Sequence, residues 1–154
     1  MELHWKVFII SVIVLFVLGF IGSLYTSDSV GSEWYQQVKP KITPPNYLFP
    51  IVWSVIYILI ALSFTLFLGS SNRKDNKLII SFYIVNILFN FLWTPIYFGL
   101  RNPTLAFLDL LLIWTSIIYL INFTWKVNKP ASWLLVPYFV WVAFAGILNY
   151  LSIS

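Results

Sequence analysis

The sequence predicts an all-α membrane protein, a bundle of five transmembrane helices with a long loop between helices one and two. Three observations predict it. Only 9% of the 154 residues are charged and 60% are hydrophobic, whereas a soluble domain carries about a quarter charged residues, so most of the surface must face lipid. Five segments stay apolar over the roughly 20 residues a helix needs to cross a bilayer core. The breaks between those segments are short and polar, with one exception.

The first span is placed at Val7–Tyr25, behind Met1-Glu2-Leu3-His4-Trp5-Lys6. Its apolar run is too long for a signal-peptide core and lacks an A-x-A cleavage site, so it is expected to be retained. The second span is Tyr47–Leu68. A polar turn, Gly69 to Lys77 with Arg73 and Lys74, leads to the third, Leu78–Gly99. Leu100-Arg101-Asn102-Pro103 is a tight connection, and Pro103 suits the first turn of the fourth span, Thr104–Trp125. Lys126-Val127-Asn128-Lys129-Pro130 repeats that pattern before the fifth, Trp133–Ile153. Residues 1–154 thus read as one transmembrane domain.

The exception is residues 26–45, about twenty residues joining the first two spans. Connections of that length are lids, binding loops or disordered segments. This one carries Trp34-Tyr35 and then Lys39-Pro40-Lys41-Ile42-Thr43-Pro44-Pro45. Its aromatics can pack down and its prolines restrict the open chain. The expected role is a lid formed by Trp34, Lys39, Pro40, Pro44 and Pro45, with an ordered surface loop as the alternative.

Charge sets the expected orientation. Six Lys and Arg lie on the side of the N-terminus and three on the side of the long loop, so the positive-inside rule puts the N-terminus in the cytoplasm. Basic residues beside apolar spans report orientation, so no nucleic-acid partner is expected from the net charge of +4. With no Cys, disulfides and thiol chemistry are excluded. No metal site is expected, and one His and one Met leave haem iron without a credible axial ligand. No nucleophile–base pair or phosphate loop is present, so conventional catalysis is not expected.

Helical spacing predicts which faces converge. Asn86, Asn90 and Trp93 share a stripe of the third span, and Trp53, Tyr57 and Ala61 one of the second. The fifth span offers Tyr138, Trp141, Ala145 and Leu148, with Asn149 beside them. Amides facing lipid are costly, so Asn86, Asn90 and Asn149 should point inward, bonding one another or lining a cavity. Asn90 is the stronger ligand candidate because Trp93 lies one turn away. Asp109, the only acid inside a predicted span, reads equally as a polar tie and as a proton-handling group. Gly19-x-x-x-Ser23, with Gly22, permits close helix approach, either in a homodimer or within the bundle. Trp5, Trp125 and Trp133 fit interfacial belts.

Together these residues resemble one family. Trp34-Tyr35, Lys39-Pro40, Pro44-Pro45 and Val52-Trp53 with Tyr57 are similar to the first half of the tryptophan-rich sensory protein or translocator protein family, once called the peripheral benzodiazepine receptor. Asn90-x-x-Trp93-x-Pro95-x-x-Phe98-Gly99 with Asp109-Leu110 resembles its middle signature. Val136-Pro137-Tyr138-x-x-Trp141-x-x-Phe144-Ala145-x-x-Leu148-Asn149-Tyr150 resembles its last helix. The match covers nearly the whole chain in order. The resemblance implies a five-helix bundle, usually a homodimer, with a cavity beneath the first long loop. It implies binding of protoporphyrin IX and of isoquinoline and benzodiazepine-type ligands, with light-dependent porphyrin degradation attributed to bacterial members. By position, Trp53 and Trp141 would carry that photochemistry, and Tyr57, Asn90, Ala145 and Leu148 would line the same cavity. The basic residue of the family's animal sterol motif is missing after Tyr150, and no mitochondrial presequence is visible, so a bacterial plasma membrane is expected.

The leading expectation is therefore a membrane receptor for tetrapyrroles, which serve as ligand or substrate rather than as a resident cofactor. The alternative is a small transporter of apolar solutes or porphyrins, against which stand the odd number of spans and the lack of an internal repeat. A structural subunit would explain the helices but leave the aromatic faces unused.

Overall fold

The computed structural model describes residues 4–70 and 76–153. The part of the polar turn that contains Arg73 and Lys74 lies outside the described residues. Among the described residues, five helical segments are long and apolar enough to cross a membrane: Trp5–Ser29, Leu48–Ser70, Lys77–Gly99, Pro103–Trp125 and Lys129–Leu151. Backbone polar groups have no water to turn to in hydrocarbon, so a helix that satisfies them internally is the form such segments must take.

The first span, α1 (Trp5–Ser29), runs four residues past the end of its apolar run. Loss of hydrophobicity at Thr26 does not stop a helix. Gly31 and Ser32 do, and Ser32 then caps a short helix α2 (Glu33–Val38), accepting from the Tyr35 backbone N–H at 3.2 Å. The long loop is therefore partly helical. Thr43 completes it with a turn closed from its backbone N–H to the Pro40 carbonyl.

Two spans expected to be continuous are broken, each at a proline. After α3 (Leu48–Ser70), α4 (Lys77–Thr94) passes into a π turn, Pro95–Gly99. Pro95 offers no N–H and crowds the carbonyl four residues back, and the wider turn relieves that clash. The Leu100 N–H bonds the Pro95 carbonyl, five residues back, at 2.9 Å. After α5 (Pro103–Trp125), the last span begins at Lys129, earlier than expected, as α6 (Lys129–Trp133), and resumes as α7 (Val136–Leu151). Pro137 enforces that break. Asn102 and Asn128 cap α5 and α6, accepting from the backbone N–H groups of Leu105 and Ala131 at 2.9 Å each.

Helix α5 is the centre of the bundle. Ala106, Asp109, Leu110, Ile113, Ile117 and Leu120 form its buried stripe, and it packs most extensively on α4 and α7. At the end away from the loop, Ser63 donates to the Ala131 carbonyl (2.6 Å) and pairs with the Tyr83 hydroxyl (2.8 Å), tying α3, α4 and α6 together. Helix α1 is peripheral, touching α3, α4 and the π turn. The space left between α1 and the rest, at the loop end, is the cavity described next.

Candidate functional site

Helices α1, α3, α4, α5 and α7 and the loop enclose a cavity of about 590 Å³. On α3, Trp53 and Tyr57 stand one turn apart with ring centroids 5.7 Å apart. Their neighbour Phe49 meets Trp141 of α7 edge-on at 5.8 Å, so aromatic surfaces of two helices join at one corner. Ala145 and Leu148 continue the α7 wall toward the loop. Helix α4 contributes Asn90 and Trp93.

The π turn extends the α4 wall. It stacks Tyr97 on Trp93 at 4.9 Å with an interplanar angle of 21°, and sets Phe98 edge-on to Trp93 at 6.1 Å. Trp93 is held in place through Nε1, which donates to Asn149 Oδ1 at 2.9 Å, while Asn149 Nδ2 donates to the Pro103 carbonyl at 2.7 Å. Tyr97 pairs with Ser152 at 2.8 Å. These bonds bind the α4 wall to α7 and to the start of α5.

Asn90 belongs to a second chain of bonds. Its Nδ2 donates to the Tyr138 hydroxyl (2.9 Å), which donates to Asn86 Oδ1 (2.9 Å), and Asn86 Nδ2 donates to Ser116 Oγ (2.7 Å) and to the Ile113 carbonyl (3.3 Å). Burying this many polar atoms in hydrocarbon is tolerable because each has a partner. Asn86, Tyr138 and Asn149 are almost wholly enclosed.

Of the residues the sequence singled out, Trp53, Tyr57, Asn90, Trp93, Trp141, Ala145, Leu148 and Pro40 all face this one cavity. Tyr138 lies behind the wall, fully buried, and meets the cavity through Asn90. Trp34, expected in the lid, does not line the cavity; it lies edge-on to Tyr97 at 5.8 Å, with the Arg101 guanidinium 5.8 Å from its ring centroid. Arg101 is the one non-glycine with positive φ among the described residues (50°). Lys39 sits over the ring of Tyr35. Tyr35 forms the roof, packed against Phe98 at 5.5 Å, and burial pushes its hydroxyl pKa up to about 12. Pro44 and Pro45 precede α3 and restrict the loop's last turn.

Sequence reasoning missed the wall made by α1. Leu15, Gly19 and Gly22 face the cavity, and a Cβ on Gly19 would lie 2.7 Å from Tyr57 Cε2. That small-residue patch is occupied inside the bundle. The spacing was legible, but the partner that required it was not. Asp109 is buried on α5, and its Oδ2 has no hydrogen-bond partner among the described residues. The same holds for Trp141 Nε1. No cluster of His, Cys, Asp and Glu that could hold a metal occurs among the described residues.

Residues 11–153 match the family model described as TspO/MBR family. The chain is 33% identical over 134 residues to the tryptophan-rich protein TspO of Chlorobaculum tepidum, covering 86% of this chain and 85% of that one. It is 35% identical over 141 residues to the tryptophan-rich protein TspO of Archaeoglobus fulgidus (91% and 90%). To the translocator protein of Bos taurus it is 33% identical over 136 residues (86% and 79%).

Proposed function

This integral membrane protein belongs to the TspO/MBR family, and from that membership and its aromatic cavity we propose that it is a membrane receptor for flat, apolar ligands, tetrapyrroles such as protoporphyrin IX foremost. A receptor or sensory role accords with a relative named tryptophan-rich sensory protein. The observation that carries the ligand class is the wall composition. Trp53, Tyr57, Trp93 and Trp141 surround one space, with Asn90 as a polar group set among them. Its volume of about 590 Å³ lies in the range of roughly 300–1,000 Å³ occupied by drug-sized ligands. Aromatic contacts contribute about 0.5–1.5 kcal/mol each beyond area burial, so several of them hold a porphyrin face without a metal bond. Isoquinoline and benzodiazepine-type ligands share that flat, apolar outline.

Light supplies the chemistry in this reading. The excited porphyrin takes one electron from the indole of Trp53 or Trp141, leaving an indole radical cation and a reduced porphyrin radical, and dissolved dioxygen is the oxidant that adds to the porphyrin and opens its ring. Relatives from bacteria support a bacterial membrane, and the charge pattern supports a cytoplasmic N-terminus. If it forms a homodimer, it does so through a lipid-facing surface other than the Gly19–Gly22 patch.

Titration of the purified protein with protoporphyrin IX tests the reading. Saturable quenching of tryptophan fluorescence in the dark is expected, with a dissociation constant on the order of 1 μM, followed by light-dependent loss of porphyrin absorbance. Quenching that rises without saturation would sink it. Ligand-dependent counterflow from proteoliposomes would make the protein a carrier instead.

A further inference from the structure

We propose that the cavity is loaded sideways from the bilayer, through a slot between the loop-end halves of α1 and α3, and that its ligands are therefore amphiphiles already dissolved in lipid. The inference rests on the receptor reading and adds the phase from which the ligand comes.

The slot exists because α1 changes partner along its length. Up to Gly19 it lies against α3. Phe16 meets Tyr57 edge-on at 5.7 Å, and Gly19 brings the α1 backbone so close that an added Cβ would fall 2.7 Å from the Tyr57 ring. From Gly22 onward α1 leans on α4 and the π turn. A Cβ on Gly22 would sit 3.6 Å from Thr94, one on Gly99 would meet the Tyr25 ring at 3.1 Å, and Ser29 Oγ donates to the Phe98 carbonyl at 3.4 Å. Above the Phe16–Tyr57 contact the two helices part, and the residues along the gap border the cavity while being exposed outward. On α1 these are Phe20, at 67% exposure, and Ser23 and Ser27; on the α3 side they are Pro50 and Asn46. Both helices are membrane spans, so the opening faces lipid in the leaflet beside the loop.

The slot is graded in polarity. Its floor, Phe16 with Tyr57 and Phe20, is apolar, and its upper end carries Ser23, Ser27, Thr43 and Asn46. The hydroxyls of Ser23, Ser27 and Thr43 donate to the carbonyls of Phe20, Leu24 and Pro40 at 2.6, 3.2 and 2.7 Å. An apolar body can therefore slide past these three hydroxyls without leaving their donors unmet, while their free lone pairs and the Asn46 amide meet a polar group riding higher. That gradient matches an amphiphile lying in the bilayer with its polar end toward the headgroups.

The absence of cysteine in the chain allows a clean test. Ser23→Cys, in the slot, and Lys41→Cys, on the exposed loop, are each labelled with the same bulky maleimide. Protoporphyrin IX binding in proteoliposomes is then followed by tryptophan quenching. The label at position 23 is expected to slow association and dissociation at least tenfold with little change in Kd, and the label at 41 to change neither rate more than twofold. Phe20→Ala, which widens the slot, is expected to speed both rates at least threefold. Slowing by the label at 41 alone, or rates indifferent to Phe20→Ala, overturns the slot and leaves the receptor reading standing. Absence of saturable binding in the unmodified protein overturns both.

Discussion

Asn90 Nδ2 lies 2.9 Å from the hydroxyl oxygen of Tyr138, and that bond decides which side of the amide Asn90 shows to the cavity. The Ile113 carbonyl can only accept, so it fixes the Asn86 NH₂ toward itself. Asn86 Oδ1 must then accept from Tyr138, whose oxygen in turn accepts from Asn90. A carbonyl on α5 thereby orients a side chain on α4 through three successive hydrogen bonds that pass by way of α7, and leaves the Asn90 Oδ1 as an acceptor for a ligand N–H or O–H.

Asn90→Ala is expected to weaken binding of an amide-bearing isoquinoline ligand by about 1–3 kcal/mol, the cost of an orphaned polar partner. Calorimetry on the folded variant measures it. Unchanged affinity would assign Asn90 to helix packing alone.

Tyr138→Phe keeps the fully buried ring and removes the hinge of the relay. Hydrogen bonds inside membrane bundles average about 0.6 kcal/mol, and two are lost. The variant should lose about 1–2 kcal/mol of stability and should also bind its ligand more weakly, because the Asn90 amide becomes free to rotate. A thermal melt matching the unmodified protein would contradict the relay.

Gly19 and Gly22 should respond oppositely to alanine. At Gly19 the added methyl pushes the Tyr57 ring into the cavity, so Gly19→Ala is expected to reduce protoporphyrin IX affinity at least tenfold. At Gly22 the new contact with Thr94 is an ordinary one at 3.6 Å. Gly22→Ala should therefore preserve affinity and gain up to about 1 kcal/mol from helix propensity. Equal behaviour of the two variants in a binding titration would show that Tyr57 does not transmit the clash.

Trp53→Phe and Trp141→Phe should separate binding from photochemistry. Phenylalanine retains an aromatic wall, and Trp141 loses no bond because its Nε1 has no partner among the described residues. Affinity should fall by only about 1 kcal/mol, while light-dependent loss of porphyrin absorbance largely disappears with the oxidisable indoles. Trp125→Phe, 42% exposed at the far end of α5, is the control. Bleaching at the unmodified rate in both cavity variants would assign the photochemistry to the ligand alone.

The loop should act as a lid that holds a seated ligand down and is fastened by Tyr35, while the ligand leaves through the slot. Its hydroxyl pKa is raised by burial to about 12, so the folded state favours the neutral phenol. That stabilisation is complete below the ordinary value near 10 and is lost as pH rises toward 12. Ligand dissociation should accordingly be flat below pH 10 and accelerate above it, and Tyr35→Phe should weaken the acceleration, the remainder belonging to the other phenols of the cavity wall. Replacing Pro44 and Pro45 with Gly should raise the off-rate through closure entropy, by up to about 1 kcal/mol per site. Off-rates that ignore both changes would make the loop a connector.

The five spans, the family and the aromatic and amide residues gathered at one end are all legible from the order of residues alone. Those depend on hydrophobic length, charge depletion and local spacing, which are properties of consecutive residues. That order also holds the prolines that break the third and fifth spans, Pro95 and Pro137, although hydropathy averages across such breaks and reads each span as one helix. That Tyr138 stands behind the wall while Asn90 stands in it emerges from packing, because both lie on inward faces and their order from the cavity depends on how α4, α5 and α7 cross. Packing alone brings Tyr57 against Gly19 and makes α1 a wall of the cavity. A glycine records that something comes close, and what comes close is supplied by another helix.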